Sequence, residues 1–368
     1  MGNGEECNDF YSRPKTSGYD EQGKQEQQVV ISGKDVFNAQ FEEIHKWSAE
    51  RGELVLGITG IPFYYKLFGY EMGLELDGGR TGFEAQLPKL KEGELEPFDV
   101  RPATKEDIPF LMEVYAHASK RHLVTCVREA AAWRYDLTGQ SENNVNRLEY
   151  RILSRAGQNE PVGYFTHPWY TWDAGLVAKH FELLPGISWM EVAPTVARYL
   201  WQTGDAYWKK EGKPGNRTAY GFWFGTEHPT YNVFKEKLPR IREAYAWYVR
   251  VPGLPVFIRH IAPALESRIA GSAIVGYSGE ARISFYRSGL KLKLEKGKLI
   301  SAEAWMPSPE DHGNSAFPDL SFLQLVFGYR SFEELEQAYA DCWYDSDEQR
   351  VLLNTLFPRK SSSVMFVN

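Results

Sequence analysis

The sequence predicts an α+β chain built from more than one domain, and three observations carry that reading. Gly57–Leu76 reads as strand, short helix and strand. Phe98 opens a second strand-to-helix pattern. Alternating strands from about Ser272 to Trp305 give way to three helices before the C-terminus. Alternation of period two marks the strands, and apolar residues at i, i+4 and i+7 mark the helices.

Composition narrows the function classes. The chain has 368 residues, enough for two or three domains, and 43% hydrophobic and 14% aromatic content supports sizeable cores. The formal net charge is −7, so no basic excess exists to neutralise a nucleic-acid backbone. A mild acidic surplus suits attraction of cationic amines. Cys7, Cys126 and Cys342 lie far apart, without CxxC or Cys/His spacing. That pattern predicts no structural zinc and a reducing, cytoplasmic setting. No apolar run approaches the roughly 20 residues that span a bilayer, and no secretion signal opens the chain.

Residues 1–28 are rich in Gly, Glu, Gln, Lys and Ser. Such a stretch buries too little to offset its ordering entropy and predicts a disordered extension. Val29–Ile31 reads as a short strand. A helix is expected from about Val36 to Arg51, with Phe37, Phe41, Ile44 and Ser48 on one face. Ser32 or Asp35 can cap its start, and Gly52 ends it.

Leu54–Ile58 reads as a buried strand, which Gly60 breaks. Pro62 suits the start of a helical turn, Phe63–Phe68 form it, and Gly69 is a left-handed stop. Tyr70, Met72, Leu74 and Leu76 then alternate with Glu71, Gly73 and Glu75, which predicts a strand with the first set buried. Gly78–Pro97 carries DGGR and PKLKEGELEP and reads as a linker.

From Phe98, FDVRPATKEDIPFLMEVY predicts strand, turn and helix, with Thr104 capping and Ile108, Leu111, Met112 and Tyr115 buried. Strands are expected at Tyr150–Arg155, Val162–His167 and Gly186–Val192. A helix is expected at Pro194–Glu211, then a strand at Ala219–Phe224. Val251–Pro255 (VPGLP) marks a boundary. Beyond it come a helix at Phe257–Ile269, strands across Ser272–Phe285 and Lys291–Trp305, and helices at Ser321–Phe327, Phe332–Ala340 and Asp347–Leu356.

Several of these segments together resemble a known family. GIPFYYKLFGYE is similar to the closing segment of the first acetyltransferase domain in the Eis-like branch of the GNAT N-acetyltransferases. NAQFEEIHKWSAERGELV is similar to the helix that follows that family's acetyl-CoA loop. FDVRPATKEDIPFLMEVY resembles the start of its second GNAT-like domain, and FGTEHPTYNVFKEKL echoes the Ile58–Tyr70 junction. LQLVFGYRSFEEL and LLNTLFP look like its sterol-carrier-protein-like third domain. The resemblance covers about Phe37 to Asn368.

After the disordered extension that composition predicts at 1–28, it implies three regions: an incomplete first GNAT lobe at 29–90, a second GNAT-like α/β domain at 98–250, and a sterol-carrier-protein-like α+β domain at 253–368. The first lobe departs from the family. ISGKDVF stands where a glycine-rich, arginine-bearing loop is usual, and only about thirty residues precede it. A truncated lobe should leave 29–76 poorly packed or paired with another chain.

By resemblance, the co-substrate is acetyl-CoA, with no metal, and the acceptor is a primary amine of a small polycation or lysine. Tyr65, three residues before Phe68-Gly69-Tyr70, matches the general acid. The α-carboxylate of Asn368 matches the base, reaching the cleft through the apolar tail VMFVN. Gly33 and Lys34 stand where the pyrophosphate is held, and Gly60 allows close approach of the coenzyme. The family also implies a homo-oligomer. Each residue has a plainer reading: a core tyrosine, a solvated terminus, an ordinary turn. The plainer reading of the whole is a catalytically inactive binding or structural module. The aromatics Trp169, Tyr170, Trp172, Trp189 and Phe222–Phe224 either pack a core or line a cleft for cationic amines. His167, His180, His228 and His312 read as capped or exposed histidines, not ligands.

Overall fold

The structure is a computed structural model that describes residues 33–172, 175–215 and 218–365. The described chain divides into two compact units: residues 33–56 with 251–253, and residues 57–250 with 254–365.

The smaller unit holds helix α1 (Gly33–Glu50). The helix starts three residues earlier than the sequence predicts, so Gly33 and Lys34 belong to its first turn and not to a loop before it. The Phe37 and Phe41 rings meet tilted, 5.3 Å apart, and Phe41 and Ser48 are buried. Ile44 was expected on that face, but it is 44% exposed, because the buried line follows positions 37, 41, 45 and 48. Gly52 takes the expected left-handed conformation, with φ 70°.

The chain continues through β1 (Leu56–Ile58) and a 3-10 turn at Tyr64–Phe68, stopped by Gly69 at φ 80°. Then come β2 (Glu71–Leu76), β3 (Gly79–Phe83), β4 (Phe98–Pro102), α2 (Ile108–Ser119), α3 (Ala130–Thr138), β5 (Leu148–Arg155) and β6 (Pro161–Pro168). β7 (Gly175–Ala178), β8 (His180–Leu183), α4 (Trp189–Lys210), β9 (Ala219–Phe222), α5 (Pro229–Phe234), β10 (Arg240–Arg242) and β11 (Tyr245–Arg250) follow. The last stretch holds α6 (Leu254–His260), α7 (Ala262–Ala270), β12 (Gly279–Ser284), β13 (Gly289–Glu295), β14 (Lys298–Trp305) and β15 (Ser315–Ala316). It ends with α8 (Phe322–Val326), α9 (Phe332–Ala338), β16 (Trp343–Tyr344) and α10 (Asp347–Leu356).

In the larger unit, β4, β5, β6 and β8 form an antiparallel sheet in that order. Side chains alternate across it with period two. Ile152 and Tyr164 face α2 and α3 with Leu111, Val114 and Trp133. Their neighbours Leu153 and Phe165 face α4, with Val192, Val196 and Leu200. A second sheet, β10–β3–β9–β7, has one parallel pair, β7 with β9. The C-terminal sheet runs β14–β13–β12–β15–β16, with Phe317, Phe322, Phe332 and Phe357 fully buried beside it.

Three expectations are corrected here. The Gly78–Pro97 stretch is not a plain linker, because β3 joins β9 and β10. A Cβ on Gly82 would come within 2.3 Å of the Lys237 carbonyl, so glycine is what lets the strands close. Gly186–Val192 is not a strand, because α4 begins at Trp189. Phe257–Ile269 is two helices, broken at Ile261 before Pro263.

β2 departs from its predicted alternation. Glu71 is 2% exposed, paired with Lys66 at 2.9 Å. Glu75 accepts from Arg359 at 3.0 Å and from Thr226 Oγ1 at 2.7 Å. β2 is sided by neighbours on both faces, and β11 pairs along it antiparallel from Tyr245–Leu76 to Val249–Glu71. β2 therefore has a partner supplied from later in the same chain.

Candidate functional site

Two places gather chemistry: the tyrosine cluster around Tyr65, and a cavity walled by β2, β7, β8 and the C-terminal tail.

Tyr65 follows a tight loop. Phe63 takes φ 62°, and its N–H donates to the Tyr248 hydroxyl at 2.8 Å. That bond turns the 3-10 segment so that Tyr65 points inward. Its ring lies 5.5 Å from Tyr248, 6.0 Å from Tyr64 and 6.4 Å from Tyr70. Tyr65 is 6% exposed and donates its O–H to the Thr59 carbonyl at 3.3 Å. Gly60 takes φ 135°, and a Cβ there would approach the same hydroxyl to 3.1 Å. Gly60 and Tyr65, chosen from sequence for one chemistry, are thus brought together, with glycine leaving room for the phenol. Gly33 and Lys34 belong to the smaller unit, in the first turn of α1, where helical N–H groups lack intrahelical partners. Asn368 lies outside the described residues.

The cavity has a volume of about 350 Å3. The tail forms one wall. The Leu123 N–H donates to the Ser361 carbonyl at 2.8 Å, and the Ser363 N–H to the Val124 carbonyl at 2.9 Å. The Cys126 thiol contacts the Met365 carbonyl at 3.4 Å. Residues 361–365 are thereby laid beside 123–126 like an added strand, and Ser362–Met365 face the cavity. The expected docking of the apolar tail is seen as far as Met365.

The other walls carry four carboxylates, each with a cation. Glu75 has Arg359, and Asp77 has Lys179 at 2.9 Å. Asp136 has Arg128 and also accepts from the Tyr150 hydroxyl at 3.0 Å. Glu182 takes both its bonds, at 2.8 and 2.6 Å, from one Arg121 nitrogen. Burial pushes the Glu182 carboxyl up, but its hydrogen bonds and charged neighbours outweigh that and keep it ionised.

The histidines on this wall are neutral. Burial pushes both His122 and His180 down to about 4. Burial also lowers His228. Its Nδ1 accepts from the Thr230 N–H at 3.2 Å, so Nε2 carries the proton and donates to the Phe181 carbonyl at 3.0 Å. His228 is the N-cap of α5. His167 is fully buried away from the cavity wall, donating from Nδ1 to the Pro168 carbonyl at 2.8 Å; burial lowers it to about 3.

The aromatic concentration splits. Tyr170, Trp172, Trp223 and Phe224 line the cavity, whereas Phe222 and Trp189 pack the core around Phe181. Lys179 Nζ lies 4.8 Å from the centre of the Trp223 ring, and the Arg242 guanidinium 4.2 Å from it. Sequence reasoning did not single out Lys179, Glu182 or Arg242. His180 and Glu182 did carry a signal: they alternate with Phe181 and Leu183, placing two polar side chains on one strand face opposite the core.

No family model matches the sequence, and no curated protein matches it. Solved structures do match. A GCN5-related N-acetyltransferase from Kribbella flavida aligns with a TM-score of 0.56 at 16% identity, over 90% of this chain and 76% of that one. One from Anabaena variabilis gives 0.56 at 12% identity, over 92% and 78%. Eis1 from Mycobacterium abscessus gives 0.51 at 12% identity, over 91% and 78%. At such identities the likeness speaks for architecture alone, and the architecture of this chain is GNAT-like.

Proposed function

We propose that the chain is an acetyl-CoA-dependent N-acetyltransferase acting on a primary amine of a small polycation or a lysine. The observation that carries this reading is the GNAT-like fold running over nine-tenths of the chain. Fold alone does not select a reaction. The reading therefore also leans on the Tyr65–Gly60 arrangement at the end of β1.

In this scheme the neutral amine attacks the thioester carbonyl, and the carbon–sulfur bond then breaks. Tyr65 gives its phenolic proton to the departing thiolate. The α-carboxylate of Asn368, with a pKa of about 3.5, orients the amine and passes the ammonium proton to solvent water. Gly60 offers a surface without a side chain to the thioester arm.

A second reading has its own observation. The Tyr65 hydroxyl is engaged by the Thr59 carbonyl, and Tyr65 does not line the cavity. A phenol so placed suits a non-catalytic binding module of the same fold.

One experiment separates the two. The full chain is given acetyl-CoA with spermidine, cadaverine or a lysine peptide, and thiol release is followed. Acetyl-CoA binding is measured in parallel by calorimetry. Release with an acetylated product supports the enzyme, binding without release supports the module, and neither overturns the acetyltransferase reading.

A further inference from the structure

We infer that Tyr248 is a positioning residue for Tyr65: its hydroxyl holds the Phe63 N–H at 2.8 Å and so fixes the turn that carries the Tyr65 phenol. The inference rests on the acetyltransferase reading, in which Tyr65 is the proton donor.

Three residues between Thr59 and Tyr70 take a positive φ: Gly60 at 135°, Phe63 at 62° and Gly69 at 80°. Two are glycines, for which that region costs little. Phe63 is not, and a bulky side chain resists the left-handed region. Its ring offers little in return, because it is 68% exposed. The hydrogen bond from its N–H to Tyr248 opposes the strain. The rest of the turn follows. The Lys66 N–H donates to the Phe63 carbonyl at 3.3 Å, which opens the 3-10 segment, and the Tyr65 hydroxyl reaches the Thr59 carbonyl.

A second feature lies at Tyr248 itself. Trp247 faces Leu74 and Tyr248 faces Met72, so Gly73 is an extra residue in β2. A Cβ on Gly73 would come within 2.3 Å of Val249 Cγ2, so glycine lets this bulge close. Bulges re-aim side chains and recur beside active sites. Here the bulge falls at the residue that reaches Phe63 across 185 positions of chain. A tyrosine that only packed against Tyr65 would need neither the strained turn nor the bulge.

The test follows thiol release from acetyl-CoA with spermidine by the full chain. It also follows the NMR signal of Tyr65 in protein labelled at the tyrosine rings, assigned by its loss in Tyr65→Phe. Tyr248→Phe keeps the ring that lies 5.5 Å from Tyr65 and removes only the hydroxyl. It is expected to lower kcat by about five- to tenfold with KM nearly unchanged, as for one hydrogen bond that orders the donor. Amide exchange at Phe63 should quicken, and the Tyr65 signal should move. Adding Phe63→Asn should restore most of kcat and return the signal, since asparagine accepts a left-handed backbone at lower cost. A defect of packing alone has no reason to be rescued at Phe63. Where Tyr65→Phe is slow, an unchanged kcat in Tyr248→Phe, or a defect that Phe63→Asn leaves in place, overturns the positioning role while the acetyltransferase reading stands. No thiol release by the unaltered chain, or a Tyr65→Phe chain as active as the unaltered one, overturns that reading and the positioning role with it.

Discussion

Arg198 grips Glu96 through two bonds of 2.6 Å each, Nε to Oε1 and Nη2 to Oε2. Thr195 Oγ1 adds a third bond to the same carboxylate at 3.0 Å. The pair ties the middle of α4 to the residues just before β4. Arg198 is buried, so removing Glu96 strands its guanidinium.

Arg198→Ala is therefore expected to cost about 2 kcal/mol, less than a fully buried pair because Glu96 is part-exposed. Urea denaturation measures it. Arg198→Lys should recover only part, since an ammonium cannot reproduce the two-pronged geometry. A loss below a few tenths of a kcal/mol would show the pair to be incidental.

Tyr65→Phe separates chemistry from packing. The lost bond to Thr59 is long, so stability should fall by no more than about 1 kcal/mol. If Tyr65 is the proton donor, kcat for acetyl transfer should fall by roughly a hundredfold or more. Steady-state kinetics beside a thermal melt reads both. Gly60→Ala should do the reverse of a clean catalytic change, destabilising by about 1–3 kcal/mol through its positive φ and its crowding of the phenol.

Stability should fall as pH drops from about 6.5 towards 4. His167, His180 and His122 have folded-state values near 3, 4 and 4, against about 6.5 in an unfolded chain. Above 6.5 both states are neutral and nothing is lost. Below it the unfolded chain takes up protons that the folded chain refuses, so unfolding is favoured, by at most about 1.4 kcal/mol per pH unit for each histidine. Urea midpoints between pH 7.5 and 4.5 test this, and His167→Gln should lessen the slope.

Ser363→Pro removes the N–H that donates to the Val124 carbonyl. The tail should then lift from residues 123–126. Amide exchange at Leu123, whose N–H is held by Ser361, should quicken by about fivefold if its bond contributes near 1 kcal/mol. Unchanged exchange would mean that the strand-like pairing does not hold the tail.

Elements whose own residues dictate them were readable in the sequence. α10 runs from Asp347 to Leu356 as expected, because Ser346 caps it and one apolar stripe faces inward. The turn from Tyr64 to Gly69 is fixed by local conformational preference, with Gly69 in the left-handed region. β3 was hidden, since DGGRTGF carries turn residues, and its glycines make sense only beside the backbone they approach. The start of α4 was hidden for a similar reason. Pro194 is not its first residue but lies one turn inside it.

The sequence by itself determined the α+β class and most strands and helices, because periodicity, turn chemistry and short-range sterics are all local. Tertiary structure alone decided what β2 pairs with, where Glu75 finds its cation, and that Glu75, His180, Glu182, Arg242 and the tail share one cavity. Those residues are separated by long stretches of chain. Charge pairing and enclosure depend on distance in space, which no local pattern encodes.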